Sequence, residues 1–198
     1  MDIKNAEASF IDYFKKSYGV FEIKEFASLN IETTLKYYPK GSFLIEQGKP
    51  ANQLFYLVSG LTRYVSISYE GKEFTQSFRE APIIAGSTKA MVQRTPALFS
   101  IEVLEDVICL EFDWQDFFSR MKDVPGFLQT YAHMLEMLFI GKEERENAFV
   151  QKSAEERYLD FIHNNPNLSS RLPLQYIASY IGITPVALSR VRKKLANS

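Results

Sequence analysis

Cysteine is almost missing from this chain. Of 198 residues only Cys109 carries a thiol, which excludes an internal disulfide and any all-cysteine metal cluster within one chain. Histidine is nearly as scarce, with His133 and His163 alone, so no metal-ligand cluster and no Ser/His/Asp or Cys/His arrangement has plausible spacing. There is no phosphate-cradling glycine-rich loop, and an enzyme is not expected. Long hydrophobic runs are absent too. No window approaches the roughly 20 apolar residues that a membrane helix needs, and the N-terminus lacks a basic stretch followed by an apolar one, so a cytoplasmic protein with no membrane partner is expected. Acidic residues disappear after Asp160: from Phe161 to Ser198 there is no Asp or Glu, while Arg171, Arg190, Arg192, Lys193 and Lys194 supply five positive charges. The overall charge of −1 and the pI near 6.2 therefore hide a basic tail on an acidic body.

What is present is apolar material in quantity: 46% hydrophobic and 14% aromatic residues suffice for a packed core in one large or two small domains. The most informative stretch lies in the basic tail. Leu174, Ile177, Ala178 and Ile181 line one face of a helix, and Gly182 ends it. Thr184 then supplies a capping oxygen, and Pro185 a preset φ for the next helix. Ala178 is small where the helices cross, and Ile183, Leu188 and Val191 bury the second helix on the first. Pro185, Val186, Ser189 and Arg190 are left facing outward. That is a helix-turn-helix, whose second helix reads base edges in the major groove of double-stranded DNA while phosphates are gripped around it. Arg190 suits a guanine edge. An ordinary αα-hairpin with a solvated basic end is the competing reading.

Upstream, Phe10, Ile11, Tyr13 and Phe14 predict an amphipathic helix ending near Gly19, and Ile23, Phe26, Ala27 and Leu29 a short second one. Between Leu35 and Phe112 the pattern is of short strands. Lys40-Gly41, Gln47-Gly48, Ser59-Gly60 and Glu70-Gly71 separate runs such as Leu54 to Val58 and Leu61 to Val65, and Glu105-Asp106 separates Phe99 to Val103 from Val107 to Phe112. This predicts a small antiparallel barrel or sandwich, with a less regular crossing from Ala81 to Ala97 where such a barrel would hold a ligand. Cys109 falls in an apolar run, as buried core. Asp113 caps a helix through Met121, and Pro125-Gly126 opens a long one to about Asn147. On it Leu128, Tyr131, Leu135 and Leu138 form a seam suited to a homodimer, although packing within the chain would use the same stripe. Ser153-Ala154-Glu155-Glu156 is a capping box for a further helix, and Phe149 to Lys152 is the expected hinge.

Taken in order, a strand-rich barrel, a long helix and a terminal helix-turn-helix resemble the Crp/Fnr family of bacterial transcription regulators. Lys40-Gly41, Gly48, Leu57-Val58-Ser59-Gly60 with Thr62-Arg63, and Ile177-Ala178 through Ser189-Arg190 carry the resemblance. It implies an α+β fold: an antiparallel β-roll or jelly-roll barrel flanked by helices, a long dimerisation helix and a C-terminal helix-turn-helix domain. The corresponding segments are a cyclic-nucleotide-binding-like effector domain over 1–124, the dimerisation helix and hinge over 125–152, and the DNA-binding domain over 153–198. It also implies base contacts from Pro185, Val186, Ser189 and Arg190, with Thr184 at the turn. Backbone contacts would come from Gln175, Arg192, Lys193 and Lys194, because the chain ends seven residues after Val191 and leaves no room for a β-hairpin wing. A near-palindromic operator and RNA polymerase are the implied partners.

The departures are as telling. The family's Gly-Glu for a ribose and Arg for a cyclic phosphate fall here near Ala85-Gly86 and Pro96, which offer no such side chains, so a familiar response to cyclic AMP is not expected. Arg79, Ala85, Gly86, Ser87, Arg94 and Pro96 form the candidate effector pocket, with Lys89 nearby and no ligand identified. Cys109, His133 and His163 support neither an iron–sulfur centre nor haem, so no cofactor is expected. The second function weighed is a small-molecule sensor that acts through a protein partner and carries a degenerate helix-turn-helix.

Overall fold

In a computed structural model that describes residues 1–18 and 26–197, the chain divides into two compact units. The first comprises Met1–Ser66 and Ser77–Glu136, the second Ile67–Gln76 and Met137–Ser198. These units cut across the three expected segments: the long helix is shared, and ten residues of the strand region are grouped with the C-terminal helices.

The first unit is built on α1 (Ile3–Tyr18), a 3-10 turn at Phe26–Leu29, and most of a six-stranded antiparallel sheet of β1 (Thr34–Tyr38), β2 (Phe43–Ile45), β3 (Gln53–Ile67), β4 (Glu73–Glu80), β5 (Ile83–Ala85) and β6 (Ser100–Asp113), of which residues 67 and 73–76 belong to the second unit. α2 (Thr88–Gln93) interrupts the crossing before β6, and α3 (Trp114–Met121) follows it. The main path runs β1-β6-β3-β4, with β2 on β6 and β5 on β3. Gly19 and Ile23, named for the first two helices, lie outside the described residues.

One expectation is corrected. Ser59-Gly60 and Glu105-Asp106 do not reverse the chain: each lies within one long strand, and the two face each other across the β3–β6 pair. Its register shifts between Leu57 and Ser59, Ser59 and Leu61, and Leu61 and Thr62. Gly60 has a φ of +104°, and a Cβ there would come within 2.5 Å of the Asp106 carbonyl oxygen. The turn-forming residues thus make bulges that bend a continuous strand pair, which lets the backbones approach where no side chain fits.

Both faces of these strands are covered. Along β3, Leu54 and Tyr56 enter a core with Phe10, Phe14, Phe112, Trp114, Phe117 and Phe127, whereas Phe55 and Leu57 enter a second with Ile45, Ala85, Ile101, Val107 and Cys109. Side chains alternate between faces, so burial on both sides requires an unbroken apolar run. Inside the pair, Arg63 is 3% exposed and donates from Nε and Nη2 at 2.7 and 2.6 Å to Glu102 Oε2 on the facing strand.

The long helix, α4 (Phe127–Gln151), enters the second unit at Met137 and is followed there by α5 (Ala154–Asn164), α6 (Leu174–Ile181) and α7 (Pro185–Ala196). The capping box forms: Glu156 N–H donates to Ser153 Oγ at 3.3 Å, and Ser153 N–H donates to Glu156 Oε2 at 2.8 Å. Within the hinge expected at Phe149 to Lys152, Phe149, Val150 and Gln151 stay helical, and the break between helices falls at Lys152 and Ser153. The Phe149 ring, lying 4.9 Å from each of the Arg145 and Arg157 guanidinium groups, holds that turn in place.

Candidate nucleic-acid interface

α6 and α7 meet as their sequence dictates. Gly182 takes the left-handed conformation at φ 79°, and the Ile183 N–H donates to the Ala178 carbonyl at 3.0 Å, closing the end of α6. Thr184 Oγ1 accepts from the Ala187 N–H at 3.2 Å and caps α7, with Pro185 in its first turn. Ala178 and Leu188 are fully buried and Ile181 nearly so, while Ile183 and Val191 are half-buried.

The opposite side of α7 is open. Pro185, Val186, Ser189, Arg190, Arg192, Lys193 and Lys194 are exposed, as is Gln175 on α6. Val186 is 63% exposed. Arg190, Arg192 and Lys193 make no ion pair or side-chain hydrogen bond with another described residue. Ser189 Oγ donates to the Pro185 carbonyl at 3.0 Å, so its hydroxyl proton is already committed within the helix. Lys194 is paired with Glu155 at 2.5 Å; an ion pair this exposed contributes little and exchanges readily. Lys193 and Lys194 also sit in the last turn of α7, where the helix dipole favours positive charge.

Sequence reasoning missed the groups that hold this helix pair. Arg145 lies over the Tyr180 ring at 4.3 Å and donates from Nη2 to the Tyr180 carbonyl at 2.8 Å and the Thr75 carbonyl at 2.9 Å. Arg157 Nε donates to the Ile181 carbonyl at 2.9 Å and its Nη1 to the Lys152 carbonyl at 2.5 Å. Two cations thus take carbonyls that the end of α6 leaves without helical partners. Burial lowers the Arg145 pKa, and the neighbouring Tyr180 works against that shift. The Thr75 N–H donates to Ser179 Oγ at 2.9 Å, and that hydroxyl donates to the Glu73 carbonyl at 3.0 Å, so the outer edge of β4 is bonded to α6. The only sequence trace of this network is the Arg145–Phe149 spacing of one helical turn.

On α4, Leu128 and Leu138 are exposed and Leu135 is half-buried. Tyr131 serves its own chain: its ring stacks on Phe127 at 6.1 Å and contacts Phe118 and Trp114. Beyond the expected seam, Met137, Phe139 and Ile140 are 52%, 64% and 43% exposed, so the apolar surface reaches around the helix.

The candidate effector residues are only partly brought together. Ala85 is buried at the end of β5, the Gly86 N–H donates to the Tyr64 hydroxyl at 3.2 Å, and Ser87 is buried before α2. Burial raises the Tyr64 pKa, against smaller effects of the Gly86 N–H and the Arg79 charge. Arg79 is half-buried. Arg94 is corrected: it is exposed and donates to Gln115 on α3, because its left-handed backbone (φ 53°) ends α2 there. Pro96 is also exposed. The interior beside them is occupied by Phe55, Leu57, Ile101, and the Tyr64 and Phe99 rings 5.3 Å apart. An apolar cavity of about 20 Å³ lies on the other side of the sheet, among Phe14, Leu54, Ile84, Trp114, Phe117 and Tyr131, with room for one water-sized group.

With this geometry in view, residues 35–123 match the family of the cyclic nucleotide-binding domain, which accords with an antiparallel sheet core flanked by helices. Among solved structures, FixK2 from Bradyrhizobium japonicum shares 16% identity with a TM-score of 0.74, over 84% of this chain and 86% of its own. The c-di-GMP-responsive global regulator CLP of Xanthomonas campestris shares 17% identity with a TM-score of 0.73, over 86% and 89%. A protein from Eubacterium rectale, described as a transcriptional regulator of the Crp/Fnr family, shares 15% identity with a TM-score of 0.68, over 83% and 79%. The fold is common to all of them. A comparison with curated protein sequences finds no significant match.

Proposed function

We propose that this chain is a homodimeric, sequence-specific DNA-binding transcription regulator of Crp/Fnr type, cytoplasmic and not an enzyme, whose activity does not depend on cyclic AMP. The observation that carries the reading is the leading edge of α7: Pro185, Val186, Ser189 and Arg190 stand exposed on a rigidly capped helix, backed by Arg192, Lys193 and Lys194 and with no acidic residue on either helix of the pair. A helix so presented enters a major groove, with Arg190 reading guanine and the lysines holding phosphates. The uncovered apolar surface of α4, from Leu128 to Ile140, supports pairing with a second copy. Two recognition helices about 34–36 Å apart then select a near-palindromic site, and RNA polymerase is the partner of the bound dimer.

Independence from cyclic AMP rests on two features. Ala85, Gly86 and Pro96 carry no acceptor for a ribose and no cation for a phosphate, and aromatic rings fill the adjoining interior. The test is selection of bound sequences from a random DNA pool by the full-length protein, with and without cyclic AMP. A palindromic consensus unchanged by the nucleotide is expected. Weak, unselective binding at moderate salt would turn the assignment to a sensor that acts through a protein partner, and a consensus found only with the nucleotide would restore cyclic AMP as effector.

A further inference from the structure

Arg145 touches two rings and two backbone carbonyls, one of them on a strand. It stands on α4, away from the exposed edge of α7, half-buried between the Phe149 and Tyr180 rings at 4.9 and 4.3 Å. Its Nη2 grips two backbone carbonyls at once: Tyr180, in the last turn of α6, and Thr75, on β4. Thr75 is 1% exposed, and its N–H is taken by Ser179 of α6. Both main-chain groups on that side of the strand are therefore satisfied by helical side chains, and one guanidinium links the strand to the turn before α7.

We propose that Arg145 is the positioning residue of the recognition helix: by holding the Tyr180 and Thr75 carbonyls together it sets the turn at Gly182 and so the angle at which α7 presents Arg190. This rests on the DNA-binding reading above. The place suits arginine. A lysine ammonium ends one bond short of Nη2 and has no plane to lay against the two rings. The phenyl ring of Phe149 serves the same end. It faces Arg157, whose Nε holds the next carbonyl, that of Ile181, and it leaves no space for a side chain at Gly182. The turn is thus fixed by two guanidinium groups with one ring between them, and all three stand on α4 or α5 rather than on α7.

The test uses Arg145→Lys and, in parallel, Phe149→Leu, in the full chain. Hydrogen exchange is read at the Thr75 and Ile183 amides, and binding is read on the selected sequence and on unrelated DNA over a range of salt. Arg145→Lys is expected to speed exchange at both amides by about tenfold or more and to weaken binding to the selected sequence by a similar factor, as loss of a charged hydrogen bond implies. Unrelated DNA should be bound within about twofold of wild type, with the salt dependence unchanged, since Arg145 is given no phosphate to hold. Phe149→Leu should shift both readouts the same way. An unchanged ratio of selected to unrelated affinity, or unchanged exchange, would overturn the proposal, and so would a flattened salt dependence, which marks a direct phosphate contact. If the wild type selects no sequence, the DNA reading fails, whereas the exchange arm still reports whether Arg145 holds the turn.

Discussion

Gly182 and Phe149 are so close that a methyl group on the glycine would lie 2.6 Å from the ring. The ring is 41% exposed but carries Arg145 and Arg157 at 4.9 Å each, so making room for the methyl group disturbs both guanidinium contacts. Gly182 also has a φ of +79°, where a side chain costs about 1–2 kcal/mol on its own. Gly182→Ala should therefore destabilise the second unit by about 2 kcal/mol or more, from backbone strain plus overpacking. Thermal denaturation checks this, and adding Phe149→Leu should recover part of the loss because the two sites share one space.

Arg190 and Lys193 should separate base reading from phosphate contact. Arg190→Ala is expected to weaken the selected sequence by about 1–3 kcal/mol and to relax preference at one base pair. Lys193→Ala should weaken all sequences alike and reduce the salt slope by about one. Titrations at several salt concentrations distinguish the two, and equal loss on every sequence for Arg190→Ala would remove it from base reading.

Leu138 and Phe139 are 39% and 64% exposed near the middle of α4. Charge there cannot be buried cheaply against an apolar partner. Leu138→Glu with Phe139→Glu should convert a dimer to a monomer in sedimentation equilibrium while leaving helical circular dichroism unchanged. A double variant that still sediments as a dimer would place the interface elsewhere.

Cys109 lies fully buried on β6, and burial pushes its thiol pKa up to about 12, with Glu111 adding to the rise. Between a normal thiol pKa and that value the unfolded chain ionises while the native chain stays protonated. Stability is therefore intact below pH ~9 and falls as pH rises toward 12, by up to about 1.4 kcal/mol per unit from this group. Cys109→Ala should lose less stability than wild type over that interval in alkaline denaturation. In the native wild type at pH 8 the thiol should resist alkylation until denaturant is added.

The helix pair at the C-terminus was legible from Leu174 to Leu195 because its rules are local: a glycine at a left-handed end, a threonine cap, a proline in the first turn and apolar residues at helical spacing. The capping box at Ser153 and the cap at Asp113 were legible for the same reason. The runs Leu54 to Val58, Leu61 to Val65 and Val107 to Phe112 are strand, yet the turn signals misled at Ser59-Gly60 and Glu105-Asp106, and the crossing from Ala81 to Ala97 holds β5 and α2. A glycine with positive φ serves a reversal or a bulge equally well, and the choice depends on what faces it across the sheet, here Asp106 and Val107.

By itself the sequence determined the ends of the C-terminal helix pair, the caps at Asp113 and Ser153, and that the basic residues collect on one short C-terminal segment, since propensity, periodicity and charge are carried by neighbouring residues. Only the tertiary structure decided what those elements hold: that Tyr131 turns into its own core, that Arg94 leaves the candidate pocket for Gln115, and that Arg145 joins Thr75 to Tyr180. These depend on side chains and carbonyls up to a hundred residues apart meeting within hydrogen-bonding distance, which no local pattern encodes.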